Sequence, residues 1–94
     1  MIGRPVQIFA VHLTDTFEIS FAAQDDSVKA KVLDAITLLK TDPSASRLDM
    51  RQFGPPENNI FTIQVDGPIR LSYKNTSGIA ELRQIGVDEI LDSE

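Results

Sequence analysis

The chain has 94 residues with fourteen acids, nine bases, a single histidine and no cysteine, for a formal net charge of -5. That is enough chain for one small core and no more. It excludes a disulfide framework and a thiolate zinc site, and it argues against a protein that holds nucleic acid across a wide surface by neutralising phosphates. No apolar run approaches the length of a membrane span, and Met1 to Pro5 does not open a secretory leader. The expectation is a cytoplasmic, soluble single domain over residues 1–94, with no metal and no cofactor.

In chain order, Val6 to Leu13 is apolar except for Gln7 and His12, so it reads as a strand covered on much of both faces. His12 is expected to be a core or edge residue, since an acid-base role needs a partner within hydrogen-bond reach. Between Thr14 and Gln24 two periods compete. Phe17, Ile19 and Phe21 alternate with Glu18 and Ser20 as in a strand, yet Phe17 and Phe21 stand one helical turn apart, and Asp15 with Glu18 can form a reciprocal N-terminal cap. The pattern alone leaves both open.

Asp25-Asp26-Ser27 supplies capping oxygens for a helix whose apolar stripe is Val28, Val32, Ala35, Ile36 and Leu39, with Lys29, Lys31, Asp34 and Lys40 off it. Pro43 ends it by disfavouring helical geometry at Asp42. Ser44 to Asn59 reads as a connector, with a short alternation at Leu48-Asp49-Met50-Arg51 and a break at Gly54-Pro55-Pro56.

Three strand-like runs follow: Ile60 to Val65, Ile69 to Lys74 and Ile79 to Ile85. They form an antiparallel meander, turning at Asp66-Gly67 before Pro68 and again over the four-residue loop Asn75 to Gly78. Phe61, Ile63 and Val65, and then Ile69, Leu71 and Tyr73, make one apolar face. That face and the helix stripe have only each other to cover them, so Phe61, Ile63, Leu71, Tyr73, Val32, Ile36 and Leu39 are expected to share a core. Gly86 releases the last strand, and Asp88, Glu89 and Asp92 belong to an acidic end that reads as solvated.

With one histidine and no cysteine, nucleophilic triads and transition-metal sites lack their parts, and no glycine-rich loop precedes Lys-Ser or Lys-Thr. What remains is basic. Arg70 and Lys74 share a strand face with Arg83 near them, and Arg47 and Arg51 lie in the connector. Such a patch either holds a phosphate or carboxylate, or is the ordinary solvent face of a sheet buried on one side.

The order strand, amphipathic segment, helix ending at Asp42-Pro43, connector, Phe61 to Val65, turn, Arg70-Leu71-Ser72-Tyr73, and a strand ending Ile85-Gly86 resembles the RelE/ParE superfamily of bacterial toxins. The resemblance implies an α+β fold in which two N-terminal helices cover one face of a four-stranded, mainly antiparallel sheet. It also makes Asp15 to Gln24 helical. Partners implied are a cognate antitoxin and, beyond it, the ribosome, messenger RNA or another cellular protein. Ribosome-dependent members cut messenger RNA with basic residues on the sheet and a tyrosine near the C-terminus. Carried over, Arg70 is the catalytic candidate, and Arg47, Arg51, Lys74 and Arg83 form the binding patch. Where those enzymes carry lysines this chain has Thr62 and Gln64, and after Ile85-Gly86 it continues Val87-Asp88-Glu89.

Three readings therefore stand: a toxin component or degenerate relative that binds protein partners, a ribosome-dependent mRNA endoribonuclease, and an orphan domain without toxic activity. The first expects Arg70 to be neutralised from within, by Glu81 on the neighbouring strand. The second expects it open beside Lys74 or Arg83.

Overall fold

The computed structural model describes Ile8 and residues 10–87. In chain order these form β1 (Ala10–Leu13), α1 (Asp15–Ala22), α2 (Asp26–Thr41), a 3-10 turn at Ser46–Leu48, β2 (Arg51–Gln52), a second such turn at Pro56–Asn58, β3 (Ile60–Asp66), β4 (Ile69–Thr76) and β5 (Ile79–Gly86). The sheet runs β1-β5-β4-β3-β2. Only β1 is parallel to its neighbour. The class is the expected α+β, but the sheet has five strands instead of four. The extra one, Arg51–Gln52, comes from the connector and is too short to show a period of its own. Ala10, His12 and Leu13 are exposed, so the described part of the first strand is an open edge and not the two-sided buried strand its composition suggests.

The ambiguous segment is helical, and Thr14 begins it. Thr14 is extended, with φ -87° and ψ 164°, and its hydroxyl accepts the Phe17 N–H at 3.1 Å while donating to the Leu82 carbonyl at 2.6 Å. Asp15, expected as the cap, instead occupies the first turn, where its charge suits the positive helix end. The pairing of β1 with β5 stops at Leu13 and Leu82. Beyond that point the Ser20 hydroxyl accepts the Ile85 N–H at 3.0 Å and donates to its carbonyl at 3.1 Å. Two hydroxyls of the Thr14–Ala22 segment thus satisfy the edge of β5 where the strand no longer does. That is why a polar residue at position 20 turns inward while Ile19 is 74% exposed.

Asp25 caps α2 by accepting the Val28 N–H at 3.1 Å. The stripe then buries Val28, Val32, Ala35 and Leu39 against Ile63, Leu71, Tyr73, Ala80 and Leu82, with Ile36 and Phe61 at the margin of the same core. Phe61 and Tyr73 face each other across β3 and β4 with ring centroids 5.6 Å apart. Leu48, carried in by the first 3-10 turn, is fully enclosed in this core. The second hairpin turns on Ser77 and Gly78 alone, both at positive φ, with the Asn75 side chain accepting the Gly78 N–H. The loop is shorter than the four residues its polar composition implies.

Candidate functional site

Residues 70 to 73 of β4 are all buried, so the strand is covered on both faces. Leu71 and Tyr73 enter the apolar core. Arg70 and Ser72 point the other way, with Thr62 beside them on β3. Arg70 is 6% exposed, and burying a guanidinium is tolerable only when its N–H groups are hydrogen-bonded. They are. Nε donates to Thr62 Oγ1 at 3.0 Å, Nη2 donates to the Thr62 carbonyl at 3.2 Å and also to the Asp49 carbonyl, and Nη1 donates to Asp49 Oδ2 at 3.1 Å.

Asp49 reaches this position because it ends the first 3-10 turn in left-handed geometry, φ 46° and ψ 52°. Aspartate adopts that conformation more readily than most residues. Two residues on, the β2–β3 register sets Arg51 opposite Thr62, on the same face, and Arg51 Nη2 lies 2.8 Å from the same Oδ2. One carboxylate oxygen therefore receives two guanidinium groups. The hydrogen bond from Arg70, joined by the bond and charge of Arg51, holds the Asp49 carboxyl below the usual aspartate range against the opposing effect of burial.

Internal neutralisation of Arg70 is as the partner-binding reading expects, but its agent is Asp49 and not Glu81. The register pairs Glu81 with Lys74 and sets Gly86 opposite Arg70. Nor does Arg70 stand open beside Lys74 or Arg83. Between Leu71 and Tyr73 the β4–β5 register shifts, so that Arg83 and Gln84 together face Ser72, whose hydroxyl accepts the Gln84 N–H at 3.1 Å. The bulge sets Arg83 beside Thr14, Thr16 and Gln84 on a small cleft of about 190 Å³. Arg47 lies elsewhere again, on a cleft of about 310 Å³ between α2 and the first hairpin, with Lys31, Asp34 and Asp66. Of the five basic residues singled out from sequence, Arg51 and Arg70 are brought together on a common polar group, the Asp49 carboxylate.

Beside β2 runs an open groove of about 520 Å³ walled by Pro43, Ala45, Met50 and Phe61, with Asp49 and Gln52 at its rim. Met50 Sδ accepts the Tyr73 hydroxyl at 3.3 Å. Burial raises the Tyr73 phenol well above its ordinary value. Among the described residues no group of three or more histidine, cysteine, aspartate or glutamate side chains is placed to hold a metal ion, and no helix is long and apolar enough to cross a membrane. His12 is exposed on β1. The acidic end, with Asp88, Glu89 and Asp92, lies outside the described residues.

Asp49 and Thr62 were the residues that sequence reasoning missed. A usable signal existed in the alternation Leu48-Asp49-Met50-Arg51, which places an acid and an arginine on one side and leaves two apolar residues on the other.

No protein-family model matches the chain, and no curated protein matches it in sequence. Solved structures do match its fold. YafQ from Escherichia coli strain BL21(DE3) superposes with a TM-score of 0.71 at 16% identity, covering 86% of this chain and 94% of that one. A chain of the RelB-RelE antitoxin-toxin complex from Methanococcus jannaschii gives 0.68 at 13% identity, over 85% and 93%. The YoeB/ParE toxin from Agrobacterium tumefaciens gives 0.67 at 17% identity, over 83% and 96%. The chain has the RelE/ParE-type toxin fold, as its order of strands and helices implied.

Proposed function

We propose that this chain is the toxin-fold member of a toxin-antitoxin pair, or a degenerate relative of one, and that it acts in the cytoplasm by binding protein partners and not by cutting RNA. Similar folds occur in the E. coli DinJ-YafQ toxin-antitoxin complex and in the RelB-RelE complex, which supports a cognate antitoxin as first partner. The observation that carries the non-cutting half is Arg70. It is the one position that fits the family's basic machinery, and its guanidinium is buried and hydrogen-bonded to Thr62 and Asp49. A cutting site needs preorganised cations aimed at developing phosphate charge, and here the positive charge of Arg70 is already met from within by Asp49.

On this reading residues 1–94 work as one domain. The groove along Pro43, Ala45, Met50 and Phe61 offers a partner apolar contact beside the short edge strand β2. Arg47, Lys74 and Arg83 are cations for acidic groups of a partner, with no step of catalysis assigned to them.

The test is co-expression with any small protein encoded in an adjacent reading frame. A stable complex on gel filtration, together with no cleavage of messenger RNA on programmed ribosomes, is the expected pair of results. Ribosome-programmed cleavage by the wild-type protein that Arg70→Ala abolishes, with the fold intact, would replace this reading with the endoribonuclease.

A further inference from the structure

Two arginines converging on one carboxylate oxygen is more than the neutralisation of a buried charge requires. Asp49 Oδ2 lies 3.1 Å from Arg70 Nη1 and 2.8 Å from Arg51 Nη2. Two like charges held around a single oxygen position repel each other, and the arrangement is favourable only while an anion occupies that point. The point is reachable from solvent, for the Asp49 side chain is 44% exposed and that of Arg51 is 62% exposed, while Arg70 lies behind them at 7%.

We infer that Asp49 is an internal plug in a latent phosphate-binding site formed by Arg70 and Arg51, its carboxylate occupying the place of the phosphate oxygen. The geometry of Arg70 does not depend on that carboxylate. Its Nε and Nη2 are fixed by Thr62 Oγ1, by the Thr62 carbonyl and by the backbone carbonyl of residue 49, none of which is lost when the side chain is changed. With the carboxylate gone, Nη1 still points outward toward the vacated oxygen position, ready for an incoming anion. Guanidinium groups suit phosphate by charge and by planar donor geometry. The site stands apart from any partner-binding role, because occupying it requires no second protein.

The left-handed geometry at residue 49 makes the test clean, since glycine and asparagine are the residues that adopt it most readily. Asp49→Gly removes the plug and keeps the turn. Asp49→Asn keeps the side chain's shape and removes its charge. Inorganic phosphate titrated into each protein at low ionic strength, followed by backbone amide shifts of residues 49–52, 62 and 70, reads the site directly. We expect saturable binding at least tenfold tighter in both variants than in wild type, and loss of that gain in Asp49→Gly combined with Arg70→Met. An unchanged response in both variants overturns the inference, as does an equal response to chloride at matched ionic strength, or binding that survives Arg70→Met. Unfolding of both variants also overturns it, because the inference requires Arg70 to stay in place without the carboxylate. None of these results bears on whether an antitoxin binds, so the two proposals fail separately.

Discussion

On β4 the two faces are buried by different means. Leu71 and Tyr73 are enclosed by apolar partners that the period of two announces, on β3, β5 and α2. Arg70 and Ser72 on the reverse face are as well buried, yet what covers them comes from position 49 in the connector and from a bulge in β5. The first face is set by local alternation and needs only area. The second depends on where one loop residue and one register shift put their polar atoms, which is why single substitutions should affect the faces so differently.

The largest effect is expected on the apolar face. Leu39 is fully buried, and Leu39→Ala should destabilise the domain by about 2 to 5 kcal/mol, the range for leaving a cavity in a packed core. Urea unfolding measures it, with intrinsic fluorescence reporting from Tyr73 alone, since the sequence holds one tyrosine and no tryptophan. On the polar face Arg70→Met keeps much of the stem's packing and leaves the Thr62 oxygens without their donors, for an expected loss of about 2 kcal/mol in the same assay. A loss above that of Leu39→Ala would mean that the polar face, not the core, holds the sheet together.

The edge of β5 gives a smaller contrast. Ser20→Ala removes both hydrogen bonds to Ile85 from a partly exposed position and should cost about 1 kcal/mol, with faster amide exchange confined to Ile85 and its neighbours. If exchange there does not change, β5 has another edge partner and α1 does not replace the missing strand.

Tyr73 tests the apolar face by pH. Its pKa is raised by burial, so the neutral phenol is favoured in the folded state. The stability this contributes is fully present below the unfolded value of about 10 and is lost as pH rises above it. Phenolate absorbance should therefore be nearly absent in the native protein at pH about 10.5, where an unfolded tyrosine is largely ionised. Its appearance should coincide with alkaline unfolding.

How much of this was legible in the sequence divides along the same line. The stripe of α2, the alternation of Phe61 to Val65 and of Ile69 to Tyr73, and the turn at Asp66-Gly67 were readable because each element's neighbours in sequence carry its pattern. The helix at Asp15–Ala22 was implied by the family resemblance and not by its own pattern, because Ser20 bonds to Ile85 and Thr14 to Leu82, contacts sixty-five and sixty-eight residues away. The site was half legible. Arg70 could be singled out by residue type and by likeness of the hairpin, and its neutralisation could be anticipated. Glu81 was the candidate because it lies on the adjacent strand, but the two-residue turn at Ser77-Gly78 sets it opposite Lys74, and a two-residue strand with a left-handed aspartate before it leaves little trace in a pattern.

The claim on which the functional reading rests is that the charge of Arg70 is met by Asp49. Its most direct measurement is the titration of the Asp49 side-chain carboxyl by carbon NMR, in wild type and in Arg70→Met. The folded-state value is depressed, so the stabilisation it brings is present above the unfolded aspartate value and is lost as pH falls through the folded one. The account predicts a wild-type midpoint clearly below the ordinary aspartate range that moves back toward it in Arg70→Met, with Arg51 retaining part of the depression. An ordinary midpoint in the wild type, unmoved by Arg70→Met, would contradict it and leave Arg70 open to a phosphate.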